Sequence, residues 1–298
     1  FTHGRGASVY DEQGRRYLDA LAGIAVNTLG HAHPRLVEAL ALQAGRLIHT
    51  SNLYQIREQE RLADKLTQIS GMDEAFFCNS GCEANEAAIK LARLHGHNKG
   101  IDQPAIIVME KAFHGRTLVT LSATGNRKVQ AGFEPLVAGF VRVPFDDLAA
   151  VEAVAQNNAN VVAVLFEPIQ GEGGIRRAPR EFFVALMQRC RAARVSVWVD
   201  EVQTFARTGE LFAFRTLGLE EFVDIATAGK VLQGSAVLFS TALAPREGLV
   251  AGTYAGSTVG MAVGTRMIER LESEGFLGAN GRIARLGCDI AERIDRLR

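Results

Sequence analysis

Two short apolar segments of the sequence each lead to one ionisable residue. Residues 195–199 run into Asp200, and residues 224–228 lead through Gly229 to Lys230. In an open α/β sheet, ligands bind at the carboxyl ends of the strands, so these two side chains can face the same small molecule. A carboxylate beside a heterocyclic nitrogen and a lysine that forms a Schiff base are what pyridoxal phosphate (PLP) chemistry requires. The alternative is a helix N-cap at Asp200 and a solvated Lys230.

Further interpretations follow if this edge of the sheet holds a cofactor. Asp200 would pair with the protonated ring nitrogen, Gln203 would bond the ring hydroxyl, and Val202 would pack on the ring face. Lys230 would also be the base that moves the proton between substrate and cofactor. A free lysine has a pKa of roughly 10, so this role requires a pKa lowered by desolvation or nearby cations.

A turn after the apolar run 75–78 has the composition of an anion site. Ser80, Gly81 and Cys82 precede a predicted helix, so a hydroxyl and free backbone N–H groups converge at its N-terminus. A plain capping turn, with Ser80 or Asn79 as the cap, explains the same residues.

Other strand ends carry an aromatic ring and ionisable groups. After residues 105–109, Phe113 can stack on a flat cofactor and Arg116 can clamp a carboxylate; the alternative is a core Phe and a surface Arg. His114 is interpreted as structural, with no role in proton transfer. After residues 161–166, Glu172 lies among glycines that permit close backbone approach, where it can neutralise an active-site arginine or occupy an exposed turn.

Composition limits the class of protein. The chain has 298 residues, 47% hydrophobic, and a mean hydropathy of +0.05, which predicts a large core and more than one simple domain. Lys+Arg and Asp+Glu balance at 33 each, which argues against a nucleic-acid or anionic-membrane partner. The sparse cysteines fit neither a disulfide framework nor a metal site. Without a span-length apolar run or a signal-peptide core, we expect a cytoplasmic protein.

The pattern of elements predicts an α/β fold. An N-terminal segment, 1–70, contains a hairpin and two helices. A large domain, 71–255, alternates apolar runs with helices, which predicts a mostly parallel central sheet with helices on both faces. The helical residues 256–298 are expected to begin a small C-terminal domain that is incomplete here. The predicted strands are 75–78, 105–109, 140–143, 161–166, 195–199 and 224–228.

Several motifs, in order along the chain, resemble class III PLP-dependent aminotransferases, most closely the acetylornithine and ornithine aminotransferase group. They are residues 23–27, 30–34, 79–86, 113–117, 167–174, 200–203 and 207–209. The resemblance implies a fold-type I enzyme, a homodimer with active sites at the subunit interface. It also implies transfer of the terminal amine of an N-acylornithine or ornithine-like donor to 2-oxoglutarate.

The resemblance also assigns roles to residues of this sequence. Ser80, Gly81 and Cys82 would bind the cofactor phosphate, with Thr253 reaching the phosphate of the partner subunit. The full set of expected cofactor residues is Ser80, Gly81, Cys82, Phe113, Asp200, Val202, Gln203, Lys230 and Thr253. The expected substrate residues are Arg116 for the α-carboxylate, Glu172 as the switch carboxylate, Ile24 lining the pocket and Tyr54 closing it.

Three departures from the family pattern lie near the expected cofactor. Thr204 runs directly into Phe205 without the usual glycine, residues 231–236 replace a glycine-rich turn, and Ser257 and Thr258 replace an Asn-Pro pair. They leave open an aminotransferase for another ω-amino acid or diamine, such as γ-aminobutyrate, lysine or putrescine, and an aminomutase. A non-catalytic PLP-binding protein is the alternative outside the enzymes.

Overall fold

A computed structural model describes residues 1–297 of the chain. The N-terminal part begins with a three-stranded antiparallel sheet, as the predicted hairpin plus one more strand. Its elements are β1 (His3–Arg5), β2 (Ser8–Tyr10), β3 (Arg16–Leu18), the short turn α1 (Ala22–Ala25), α2 (Pro34–Ala44) and α3 (Arg57–Ser70). Pro34 starts α2 with its φ already helical, and Gly71 ends α3 in the left-handed conformation.

The remaining elements alternate strands with helices, as predicted. They are β4 (Glu74–Cys78), α4 (Gly81–Asn98), β5 (Ala105–Met109), α5 (Leu118–Ala123), α6 (Arg127–Gln130), β6 (Phe140–Val143), α7 (Leu148–Asn157), β7 (Val161–Phe166), β8 (Ile169–Gln170), β9 (Arg176–Arg177), α8 (Arg180–Ala193), β10 (Ser196–Glu201), α9 (Ala213–Thr216), β11 (Ile225–Ala228), β12 (Ser235–Phe239), α10 (Thr258–Ser273) and α11 (Arg282–Asp295). Short 3₁₀ turns cover Glu220–Phe222, Lys230–Leu232 and Thr241–Leu243.

Seven strands form the central sheet in the order β4-β12-β11-β10-β7-β5-β6. The pairs from β11 to β6 are parallel, whereas β12 runs antiparallel to both of its neighbours. The predicted mostly parallel sheet is therefore confirmed. Strand β10 extends two residues beyond the predicted 195–199, because Asp200 and Glu201 still pair with Thr227 and Ala228 of β11.

Helices cover both faces of this sheet. On one face, Ala84, Ala88 and Leu91 of α4 pack in a cluster with Trp198, and all four are buried. On the other face, Phe183 of α8 lies in a phenylalanine cluster whose nearest ring is Phe166, with centroids 5.2 Å apart. Because both faces are covered, the strands read as continuous apolar runs rather than alternating ones.

Helix α10 packs against α2 and α3, so residues after 255 contact the N-terminal segment. Salt bridges join Arg61 to Glu269 and Lys65 to Glu272, each at 2.7 Å. The division into segments 1–70, 71–255 and 256–298 stays a prediction. No helix among residues 1–297 is long and apolar enough to cross a membrane.

The phenylalanine cluster supplies a test of the core. Phe183→Ala deletes a fully buried ring, and we expect a loss of about 3–5 kcal/mol in the free energy of unfolding, because little of the cavity can close. Urea titration followed by circular dichroism measures it. Phe133→Ala, at a ring that is 59% exposed, is the control and should cost about 0.5 kcal/mol or less. Equal losses in the two variants would contradict the assignment of this core.

Candidate active site

The carboxylate of Asp200 is the centre of a buried polar cluster at the end of β10. Asn85 of α4 donates from Nδ2 to Asp200 Oδ2 at 2.8 Å, and His114 Nδ1 lies 2.7 Å from the same oxygen. The backbone N–H of Val202 donates to Oδ1 at 3.0 Å. A buried carboxylate is costly unless it is hydrogen-bonded, so these partners stabilise Asp200 and fix its position.

Asn85 and His114 are the partners that sequence reasoning missed. They lie 115 and 86 positions from Asp200, and a single sequence carries no signal for such contacts. The Asn85 amide also donates to the carbonyl of His114 at 2.8 Å, which ties α4 to the loop after β5. The interpretation of His114 as structural agrees with this geometry, and its structural task is to hold Asp200.

Lys230 lies at the start of the 3₁₀ turn after β11, and β11 pairs with the strand that carries Asp200. Its Nζ donates to the carbonyl of Ile24 at 3.2 Å. Burial, and then the positive charge of Arg207, lower the pKa of Lys230, while Glu172, Asp200 and Glu167 oppose the change. The pKa is thus shifted in the direction that a proton-transferring lysine requires.

The turn before α4 is a helix cap, and it also lies against the Asp200 segment. Ser80 is the N-cap and accepts from the N–H of Glu83, whose carboxylate accepts from the N–H of Asn79 at 2.9 Å. A Cβ on Gly81 would lie 2.5 Å from Val202 Cγ1, so only glycine allows this approach. The turn therefore caps α4 and lies against Val202, and its role as an anion site stays a prediction.

Cys82 is surrounded by donors. Its Sγ lies 3.3 Å from the hydroxyl of Thr117 and 3.1 Å from that of Thr120. Although burial raises the pKa of the Cys82 thiol, hydrogen bonds from Thr117, Thr120 and the backbone of Arg116 outweigh it, and the pKa lies below its usual value. The sulfur thus joins α4 to the segment that carries Arg116.

Glu167, directly after β7, connects the Phe113 segment to the glycine-rich turn. It is buried and accepts from the N–H of Phe113 at 2.9 Å and from that of Gly171 at 3.2 Å. Gly171 in turn makes room for Gln203, whose Oε1 would lie 1.4 Å from a Cβ at that position. The Glu167 carboxylate therefore joins two of the predicted site segments, and Gly171 brings Gln203 against them.

Two of the expected site residues lie further out. Thr253 is exposed in the loop before α10, and it lines a cleft of about 390 Å³ together with Asn79 and Glu83. Tyr54 is exposed as well. Arg116 is exposed beside the ring of Phe113, with its guanidinium carbon 5.8 Å from the ring centroid.

Within residues 1–297, no group of three or more His, Cys, Asp or Glu side chains is arranged to hold a metal ion.

Comparison with known families identifies the family of this chain. The family described as aminotransferase class III matches residues 1–297. The chain belongs to the class III aminotransferases. The resemblance seen in the motifs is thereby confirmed, as are the transaminase class and pyridoxal 5′-phosphate, the cofactor typical of that family.

Individual relatives agree with this membership. The chain is 51% identical to the acetylornithine aminotransferase of Nitrosomonas europaea over 285 residues, which cover 93% of this chain and 72% of the relative. It is 45% identical to acetylornithine aminotransferase 1 of Bordetella pertussis, with the same two coverages. Among solved structures, the ornithine aminotransferase of Toxoplasma gondii superposes with a TM-score of 0.92 at 30% identity, covering 99% of this chain and 71% of that one.

Glu167 gives this site a pH dependence. Burial raises the pKa of Glu167 from 4.5 to about 7. Because the folded-state pKa exceeds the unfolded one, the associated stability is fully present below about pH 4.5 and is lost as the pH rises through about 7. The shift corresponds to a loss on the order of 3 kcal/mol.

The measurement is the free energy of unfolding at pH 5 and pH 8 for the wild type and Glu167→Gln. The variant should lose less stability over this range, by on the order of 3 kcal/mol. Part of the dependence should persist, because burial also raises the pKa of Glu201 to about 7. Glu12→Gln, at an exposed site, should retain the wild-type dependence. An unchanged dependence in Glu167→Gln would show that this carboxyl does not titrate as described.

Proposed function

We propose that this chain is a PLP-dependent aminotransferase that moves the terminal amine of an N-acylornithine or ornithine-like donor to 2-oxoglutarate. The observation that carries the proposal is the placement of Asp200 at the end of β10 and of Lys230 just after the paired strand β11, in a class III aminotransferase. The names of the relatives, acetylornithine and ornithine aminotransferase, support this donor class.

The residues at this edge fit a PLP cofactor. Asp200 offers a buried carboxylate to a protonated ring nitrogen. The hydroxyls of Thr227 and Ser235 are buried without a hydrogen-bond partner among the described residues, at the strand ends next to Lys230. A Cβ on Gly229 would lie 2.8 Å from Ser235 Oγ, so the backbone there leaves no space for a larger residue. A polar, closely approached cradle of this kind matches an anionic, hydrogen-bonding cofactor.

The cofactor residues divide by the part of PLP they would hold. We propose that Asp200 holds the ring nitrogen and Gln203 the ring hydroxyl, while Val202 and Phe113 pack on the two faces. The residues proposed for the phosphate are Ser80, Gly81, Cys82 and, from the partner subunit of a homodimer, Thr253. When bound, PLP supplies an electron sink for the carbon that carries the amine.

Lys230 is the residue proposed to join the cofactor and to move the proton. A base must be within hydrogen-bond reach of its proton and must have a pKa near the working pH. The pKa of Lys230 is lowered by burial and by Arg207, which moves it toward the second condition. Arg207, which donates to the carbonyl of Gln203, keeps a positive charge near the amine and so helps to hold the pKa down.

The substrate residues and the assembly belong to the same proposal. Arg116 would bind the α-carboxylate of the donor, Ile24 and Tyr54 would line and close its pocket, and Glu172 would act as the switch carboxylate. Exposed apolar side chains support a homodimer, among them Leu53 at 94% and Leu18 at 78% exposure. We also propose a cytoplasmic location.

The function is tested by absorbance spectroscopy of the PLP-incubated, desalted protein. N-acetylornithine should convert the bound cofactor to its amine form, and 2-oxoglutarate should restore the aldehyde form. Borohydride reduction followed by peptide mapping should place the adduct on Lys230. Side-by-side turnover with ornithine, γ-aminobutyrate, lysine and putrescine ranks the donors. Retention of PLP without conversion by any amine would support a non-catalytic protein instead.

Arg116 supplies a prediction about the donor. Arg116→Ala should raise the KM for N-acetylornithine roughly ten- to hundred-fold, because a hydrogen bond to a charged group is worth about 1.5–3 kcal/mol. Steady-state kinetics of the donor half-reaction measures it. Arg46→Ala, at an exposed position of the N-terminal segment, is the matched control and should leave the KM unchanged. An unaltered KM in Arg116→Ala would show that another group reads the α-carboxylate.

A further inference from the structure

The turn α1 has an unusual backbone. All four of its residues have positive φ: Ala22 at 51°, Gly23 at 67°, Ile24 at 58° and Ala25 at 62°. Only glycine adopts this region freely, because in the other residues Cβ crowds the following carbonyl oxygen. A run of left-handed residues persists only where surrounding contacts impose it, and such strain clusters at functional sites.

The carbonyl groups of this turn point to the proposed catalytic lysine. The carbonyl of Ile24 accepts from Lys230 Nζ at 3.2 Å. The next carbonyl, of Ala25, accepts from the guanidinium of Arg207, and the one after it, of Val26, accepts from Gln233 Nε2 at 3.2 Å. Three consecutive carbonyls are therefore held by side chains from the segments that follow β10 and β11.

Lys230 and Gln233 reach the turn as a pair. Lys230 begins the 3₁₀ turn Lys230–Leu232 and Gln233 is its C-cap, also with a positive φ of 60°. Side chains at positions i and i+3 of a 3₁₀ turn lie on the same side, so both face α1. The N-terminal end of α1 is fixed separately, because Asp19 accepts from the N–H groups of Leu21 and Ala22 at 3.1 and 2.8 Å.

We propose that α1 is a positioning device for Lys230. The carbonyl of Ile24 is the acceptor that orients the lysine amine whenever that amine is not joined to the cofactor, and Gln233 and Arg207 keep this carbonyl in place. The inference rests on the proposed function, since it assigns Lys230 a free and a cofactor-linked state. In this proposal Ile24 orients Lys230 through its backbone carbonyl and also lines the substrate pocket with its side chain.

The carbonyl oxygen of Ile24 gives the amine of Lys230 a directional contact, which the neighbouring charges do not. Arg207 repels the protonated amine, while Glu172, Asp200 and Glu167 attract it. A hydrogen bond to a fixed carbonyl is directional, so it selects one position of a long, flexible side chain. The same bond favours the protonated amine, so its loss makes Lys230 both more accessible and more reactive.

The test uses the full chain freed of PLP, with two readouts that do not depend on turnover. Hydrogen exchange of peptides covering residues 21–28 reports the turn, because the N–H groups of Ala25 and Val26 are bonded to Leu21 and Ala22 within it. Competitive labelling with acetic anhydride reports the amine of Lys230, with the exposed Lys111 in the same sample as the internal standard.

Two variants should change the exchange rate and the labelling rate together: one variant should raise both rates, and the other should lower both. Gln233→Met removes the donor to Val26 at nearly constant shape, and we expect exchange of residues 21–28 and labelling of Lys230 to become at least about threefold faster. Ala22→Gly removes a Cβ from a left-handed position, so both rates should fall. Gln68→Met, at an exposed glutamine of α3, is the control and should change neither rate.

The outcomes separate this inference from the proposed function. Faster exchange in Gln233→Met with unchanged labelling of Lys230, or no change in either rate, overturns the positioning role. PLP addition and borohydride reduction on the same samples test the function independently. If the adduct forms on Lys230 but the labelling does not respond, only the positioning role fails. If the wild type forms no adduct on Lys230, the proposed function fails, and the role of α1 fails with it.

Discussion

A carboxylate with 4% exposure at the end of a central strand must find hydrogen-bond donors, and Asp200 finds them on three different segments. Asn85 brings the first turns of α4 to it, His114 brings the loop after β5, and Val202 turns the chain away from β10. Removing one of these partners would leave a buried carboxylate with fewer hydrogen bonds, which costs free energy. The site therefore assembles around this one group, and the helix N-terminus and the Phe113 loop meet because both serve it.

The sheet order explains how the other groups reach the same place. Strands β7, β10 and β11 are neighbours and parallel, so Glu167, Asp200 and Lys230 follow each other across one edge. Glu167 then joins the Phe113 loop to the turn that carries Glu172. The N-terminal segment closes the edge from outside through the carbonyls of α1. This arrangement places the carbonyl of Ile24, the guanidinium of Arg207 and nearby carboxylates around Lys230.

Sequence reasoning predicts the large features well, because they rest on local patterns. Strands β5, β6 and β7 have the predicted bounds, since uninterrupted apolar runs with clear breaks define them. Asp200 and Lys230 emerge as strand-end residues for the same reason. The end of β10 is missed by two residues, because the ladder to β11 continues through charged residues. Asn85, the Glu167 contacts and the left-handed α1 depend on long-range packing, for which one sequence contains no signal.

The central claim is that Asp200 holds a protonated cofactor ring nitrogen in this chain. The most direct measurement is the ¹⁵N NMR spectrum of the protein loaded with PLP labelled at the ring nitrogen. Our account predicts a protonated nitrogen in the wild type across neutral pH and its loss in Asp200→Asn, because the amide cannot stabilise the charge. A nitrogen that is unprotonated in the wild type, or equally protonated in both proteins, would contradict the account.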